Sequence, residues 1–196
     1  MKEKFLDTNI KNKSKTVEDK IQLIRHNGVL LPLPTEIEIS ESGTCNRTCS
    51  FCPRSASDFV DKKEFISNSL HEKLCLELKD LSYKGTIRYS GFVEPLLDKN
   101  IYNLISMVRD NLPECNIEMV TNGDPLNLKR LNKLFESGLK KILISAYDGK
   151  KDADKLEDLC ISANLSSEQY IVRHRYYSEE QDFGITLSNR SGLMEN

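Results

Sequence analysis

Three cysteines fall within eight residues, in the run Cys45-Asn46-Arg47-Thr48-Cys49-Ser50-Phe51-Cys52-Pro53-Arg54. Their C-x3-C-x2-C spacing brings three thiolates within reach of one inorganic centre, and the rest of the chain can be read as a scaffold for that loop. A disulfide would leave one thiol over, and loops this short would strain it. A closed structural zinc site needs four ligands, so a distant residue such as Cys75 or His71 would have to complete it. A cubane iron–sulfur cluster has four iron corners and ordinarily takes four cysteines. Three local cysteines would leave one corner open, where a small molecule can bind and react.

The chain has 196 residues, enough for one domain with a buried core. Its net charge is −2 with acids and bases interspersed, which gives no broad field for a nucleic acid. No apolar run approaches the ~20 residues of a membrane span. The charged opening MKEKFLDTNIKNKSK lacks the apolar core of a signal peptide. The expected compartment is the cytoplasm, where thiols stay reduced. Cys75, Cys115 and Cys160 are scattered and read as small buried hydrophobes.

Residues 1–16 are polar. Val17 to Arg25 reads as a short helix capped by Thr16, with Val17, Ile21 and Ile24 on its apolar side and Gly28 as its breaker. An alternation then begins. Strands are expected over Thr35–Ser40, Thr86–Ser90, Asn116–Thr121, Lys141–Ala146 and Tyr170–Tyr176, with a sixth over Gly184–Ser188. Helices are expected over Ser67–Leu81, Lys99–Leu112 and Asp152–Ala163. Another should run to about Glu136, with Asp124 as its N-cap and Pro125 as its first residue. Strands alternating with helices of this length mean βαβ units and an α/β fold with a parallel sheet. Five or six units cannot close as the eight-fold barrel does. The expectation is a partial, open (β/α)6-type barrel with outer helices, residues 1–34 being an N-terminal extension and 35–196 the core.

Parallel strands covered on both faces usually read as continuous apolar runs. Here Ile37 and Ile39 alternate with Glu36 and Glu38, Ile87 and Tyr89 with Arg88 and Ser90, and Ile117 and Met119 with Glu118. With the apolar set packed on the helices, Glu38, Arg88, Glu118 and Ser145 would line a wet, charged lumen, Glu38 and Arg88 near each other. The competing reading is a sheet with one face simply open to solvent.

The motif C-x3-C-x-aromatic-C, with Phe51 as the aromatic, resembles the signature of the radical SAM (S-adenosylmethionine) enzymes. The resemblance implies that Cys45, Cys49 and Cys52 hold a [4Fe-4S] cluster whose fourth iron takes the amino and carboxylate groups of SAM. It implies reductive cleavage of SAM to a 5′-deoxyadenosyl radical that abstracts hydrogen from a substrate. It also implies an external electron donor such as flavodoxin or ferredoxin. The substrate, small molecule or peptide, is not legible in the chain.

In parallel α/β folds, ligands bind at the carboxyl ends of the strands, and the resemblance continues there. Ser90-Gly91-Phe92-Val93-Glu94-Pro95 is similar to the family's Gly-rich segment for the SAM amino group, with Val93 where a second Gly is common. Thr121-Asn122-Gly123 resembles a family turn, and Ser145 resembles a SAM-bonding serine. Arg173 or Arg175 would meet the SAM carboxylate or the substrate. The implied cofactor contacts are therefore Phe51, Ser90, Gly91, Phe92, Glu94, Asn122, Ser145 and Arg173. The stretch from Tyr176 to Gly192 resembles a subgroup (the SPASM type) that continues into a cysteine-rich domain, yet no second cysteine cluster follows; the expectation is a minimal or truncated core, or one whose open edge something else covers. Two alternatives stand beside the enzyme: a non-catalytic cluster-binding remnant and a structural zinc module.

Overall fold

A computed structural model describes residues 21–178 and 181–182. It opens with a hairpin of β1 (Leu23–His26) and β2 (Val29–Pro32). Leu23 to Arg25 of the expected helix are thus strand, and Ile21 and Gln22 are neither helix nor strand; residues 17–20 lie outside the described residues. The reason is the turn. Asn27 and Gly28 both take positive φ, 47° and 81°, and Asn-Gly with that backbone closes a tight antiparallel pair rather than ending a helix.

Five strands follow as one sheet: β3 (Glu36–Ile39), β4 (Thr86–Tyr89), β5 (Asn116–Thr121), β6 (Lys141–Ala146) and β7 (Tyr170–His174). They lie in chain order and every neighbouring pair is parallel. Parallel neighbours need a crossover each time. Four helices supply them: α1 (Asn68–Asp80), α2 (Ile101–Asn111), α3 (Leu128–Glu136) and α4 (Lys150–Ser162). The result is the expected open part-barrel with five strands. The sixth expected strand, Gly184–Ser188, lies outside the described residues. A two-residue ladder of β8 (Tyr177–Ser178) and β9 (Gln181–Asp182) follows the sheet.

Helix starts follow their capping chemistry. Ser67 caps α1 by accepting from the Leu70 N–H at 3.2 Å. α3 begins at Leu128, later than expected, with Asn127 accepting from the Arg130 N–H at 3.0 Å. Asp124 does not cap it because its carboxylate is engaged by Asn46 and Arg47.

Alternation decides the two faces. Ile87, Tyr89, Ile117, Met119, Ile142 and Ile144 are fully buried in one core with Leu104, Ile105 and Val108 of α2 and Leu131 and Leu134 of α3. Burying such side chains stabilises by about 1.5–3 kcal/mol each, and a one-residue slip would turn all of them outward. Cys75, Cys115 and Cys160 are buried there too, as expected. Burial pushes the Cys75 thiol up to about 11.

The polar residues take the other face. Glu38, Arg88 and Glu118 stand in register across β3, β4 and β5. Arg88 is paired, but with Glu36 at 2.6 Å and Glu118 at 2.7 Å rather than with Glu38. Its long side chain reaches one step back along β3, where Glu36 is shielded, while Glu38 stays exposed towards the Gly91 end of the sheet. The three paired side chains keep 15–19% exposure, so losing the cation strands two largely buried carboxylates. Arg88→Ala is expected to lower the unfolding free energy by about 3 kcal/mol, read by urea denaturation. A change below about 1 kcal/mol would mean an ordinary solvated pair.

Candidate active site

The cysteine loop follows β3 and is fixed at both ends. The Ile66 N–H donates to Glu41 O at 2.7 Å and the Gly43 N–H to Glu64 O at 2.9 Å, holding its entry. The Glu94 N–H donates to Thr44 O at 3.0 Å, tying it to the segment after β4. A turn bond from the Cys52 N–H to Cys49 O at 2.9 Å sets the second and third cysteines.

Cys45, Cys49 and Cys52 are free, half-buried, and line one cavity of about 140 Å3. Phe51, Gly91, Phe92, Glu94, Asn122 and Ser145 line the same cavity. The remaining expected residues adjoin it. Ser90 is buried behind it with a hydroxyl that has no hydrogen-bond partner, and Arg173 donates to Ser145 Oγ at 2.9 Å. Segments from the ends of β3, β4, β5 and β6 are thereby brought together.

Gly91 is required here. Its φ is +117°, and an added Cβ would meet Ser40 Oγ at 2.1 Å. Val93, by contrast, is not among the residues with positive φ, so its side chain is compatible with the loop. Glu94 is buried at 1% exposure. Its Oε1 accepts from Thr121 Oγ1 at 2.6 Å and the Leu96 N–H at 3.1 Å, and its Oε2 from the Asn122 N–H at 2.7 Å. Burial holds this carboxyl above its ordinary pKa against those three donors. Glu94 therefore orients the segment by joining the ends of β4 and β5. Asn122 carries the link onward. Its Oδ1 accepts from the Asp124 N–H, which turns Nδ2 to Asn46 Oδ1 at 2.7 Å and Cys45 Sγ at 3.8 Å.

Sequence reasoning missed Arg47. It lies between the first two cysteines and forks onto Asp124 (2.6 and 2.5 Å) and Asp148 (2.8 and 2.6 Å), with its guanidinium 5.5 Å from the centre of the Tyr147 ring. The pairs raise the Arg47 pKa and hold Asp148 below the usual carboxylate range. Tyr147, also missed, packs against Phe51 with ring centres 5.4 Å apart and planes tilted by 34°, and lines the cavity. Arg54 donates to Gly43 O and Phe92 O and pairs with Asp61.

Cys45, Cys49 and Cys52 supply three thiols at the cavity, and a tetrahedral single-ion site would need a fourth ligand. The remote zinc ligands fall elsewhere. His71 Nε2 meets Tyr89 OH at 2.9 Å and Cys75 lies 3.7 Å from His71 Nδ1, all buried among the core residues away from the cavity. Around Cys45, the Arg47 N–H at 3.5 Å and Asn122 Nδ2 supply N–H···S contacts, of the kind that surround cluster thiolates.

The model of the Radical SAM superfamily matches residues 39–181, and the chain belongs to that superfamily. It is 31% identical over 160 residues to an S-adenosyl-L-methionine-dependent 2-deoxy-scyllo-inosamine dehydrogenase of Niallia circulans, covering 82% of this chain and 60% of that protein. It is also 34% identical over 121 residues to a GTP 3′,8-cyclase of Campylobacter jejuni (strain RM1221), covering 59% of this chain and 36% of that enzyme. A crystal structure of BtrN in complex with AdoMet and 2-DOIA superposes with a TM-score of 0.68 at 28% identity, covering 83% of this chain and 63% of that one. The chain thus spans about 60% of the length of the dehydrogenase.

One buried acid beneath the loop makes a stability prediction. Glu41 is 1% exposed; Ser42 Oγ donates to its Oε1 at 3.2 Å, and its Oε2 has no partner. Burial pushes its pKa up from 4.5 to about 7, with Asp98 and Glu94 adding to the effect. The unfolded chain loses this proton first, so the stabilisation is complete below pH 4.5 and lost as pH rises through about 7. That span corresponds to about 3 kcal/mol. Glu41→Gln is expected to flatten the pH profile of urea stability in this window and to be the more stable form at pH 8. An unchanged profile in the variant would contradict the assignment.

Proposed function

We propose that this chain binds a [4Fe-4S] cluster through Cys45, Cys49 and Cys52 with SAM beside it. It cleaves SAM reductively to a 5′-deoxyadenosyl radical that takes a hydrogen atom from a substrate. The observation that carries this reading is the meeting of three half-buried thiols and four strand ends around one cavity. When bound, the cluster supplies one electron and an open iron for the amino and carboxylate groups of SAM. An external donor of the flavodoxin or ferredoxin kind would reduce it.

The chain's own residues do the positioning. Carbonyls of the Ser90–Val93 segment accept from the SAM ammonium, and Gly91 lets the backbone come close. Glu94 holds that segment and contributes no contact of its own, since both its oxygens are occupied by protein donors. Ser145, held by Arg173, takes the ribose or carboxylate. Phe51 and Tyr147 form an aromatic wall that excludes water from the reacting end. The lumen, with Glu36, Arg88 and Glu118 paired and Glu38 exposed, suits a small polar substrate. Similarity to a dehydrogenase of 2-deoxy-scyllo-inosamine supports a hydroxylated or aminated one. The zinc reading loses support because Cys75 and His71 sit in the core.

The test is anaerobic reconstitution of the wild type and six single Cys→Ala variants. About four irons per chain are expected, as a cubane requires. They should be lost in Cys45→Ala, Cys49→Ala or Cys52→Ala and kept in Cys75→Ala, Cys115→Ala and Cys160→Ala. Dithionite and SAM should then yield 5′-deoxyadenosine. Zinc in place of iron, or loss of metal in Cys75→Ala, would sink the cluster assignment. A full cluster without 5′-deoxyadenosine would leave the non-catalytic remnant.

A further inference from the structure

Glu36, Glu38 and Glu118 share the inner face of the sheet with Arg88, which stands between them on β4. Arg88 engages Glu36 and Glu118. Glu38 is its register partner on β3, yet it is exposed and makes no hydrogen bond or ion pair among the described residues. Its carboxylate leans towards the carboxyl end of the sheet, where Oε1 lies 3.9 Å from the point a Cβ on Gly91 would occupy. Gly91 lines the cysteine cavity. Glu38 therefore stands on the lumen side of the segment assigned to the SAM ammonium.

Folding gains nothing from this charge. Glu38 adds a third carboxylate to a layer in which Arg88 already serves two, and like charges in a partly shielded layer repel. Lys141 is in register with Glu118 on β6, but that is three strands from Glu38, about 14 Å at the usual strand spacing. A residue that costs the fold and faces a ligand cavity is where function overrides stability. Its position also agrees with the chemistry. Hydrogen transfer needs reacting atoms about 3–3.5 Å apart, so a substrate must lie against SAM, and on the lumen side of Gly91 it meets Glu38.

We propose that Glu38 holds the ammonium of an aminated polyol substrate and so sets the choice of an amine over a hydroxyl at that position. The assignment rests on the reading of the cavity as the SAM site. An ionised carboxylate is an acceptor only, and its bond to an ammonium is roughly twice as strong as one to a neutral hydroxyl. The excess negative charge of the layer favours a cation further. Bound substrate would supply the positive charge that Arg88 withholds from Glu38.

The test is anaerobic calorimetric titration of the reconstituted full chain with SAM present. The probes are 2-deoxy-scyllo-inosamine and its analogue with a hydroxyl in place of the amine. Wild type is expected to bind the amine at least tenfold more tightly than the analogue. Glu38→Gln should weaken the amine at least tenfold and leave the analogue within about threefold. Glu72→Gln, which makes the same change on the outer helix α1, should stay within twofold of wild type for both. The urea midpoint of Glu38→Gln should be no lower than that of wild type, since repulsion is relieved. Wild type that lacks iron, or shows no SAM-induced change in its cluster EPR spectrum, would remove the reading of the cavity and this assignment with it. Wild type that has both, but binds the two probes equally or the amine not at all, would overturn Glu38 alone. So would a Glu38→Gln variant that weakens both probes alike, weakens neither, or unfolds at lower urea.

Discussion

The buried carboxylate of Glu94 joins the ends of two strands with three hydrogen bonds, and the geometry of the cavity follows from it. The Leu96 N–H belongs to the segment after β4, while Thr121 and the Asn122 N–H belong to the end of β5. Fixing both ends to one side chain brings Gly91 and Asn122 to the same cavity, and Asn122 then reaches Asn46 and Cys45. Charge-assisted bonds of this kind contribute about 1.5–3 kcal/mol each, working against a burial that still holds the Glu94 pKa above its ordinary value. The thiols are thus presented on a frame of hydrogen bonds between the chain's own residues, a form of preorganisation.

Charge is matched at each level of the open barrel. On its inner face Arg88 sits between Glu36 and Glu118, and at the rim Arg47 sits between Asp124 and Asp148. Each cation lies between two carboxylates on different segments, so each crosslinks strands as well as neutralising charge. Arginine suits both places because its planar fork can engage two carboxylates at once.

Much of this was legible in the chain because periodicity and turn chemistry pointed the same way. Asn116–Thr121 is a strand over the expected span because a period of two admits little else, and Lys141–Ala146 because a short apolar run between turn residues is buried on both faces. The three cysteines and Gly91 were legible from local spacing. What was not legible rests on partners far away in sequence. Arg47 reads as a solvated loop residue until Asp124 and Asp148 fold onto it, 77 and 101 residues later. Arg88 was placed on its face, but the choice of Glu36 over Glu38 depends on which way a long side chain leans. The start of α3 moved to Leu128 because Arg47 and Asn46 take the carboxylate that would have capped it. The Asn27-Gly28 hairpin carried a readable signal, two residues of turn type between apolar runs, which a reading of Gly28 as a mere breaker overlooks.

The account depends most on strand ends that hold SAM beside the cysteine loop through a carboxylate that is not itself a metal ligand. The direct measurement is a SAM titration followed by EPR of the reduced cluster, in wild type and in Glu94→Ala. The account predicts a SAM-dependent spectral change in both, with unchanged iron content. The midpoint should lie about ten- to a hundredfold higher in Glu94→Ala, the effect of losing roughly one charge-assisted bond's worth of order in the segment. Equal SAM affinity in the two proteins, or loss of iron on removing Glu94, would contradict it.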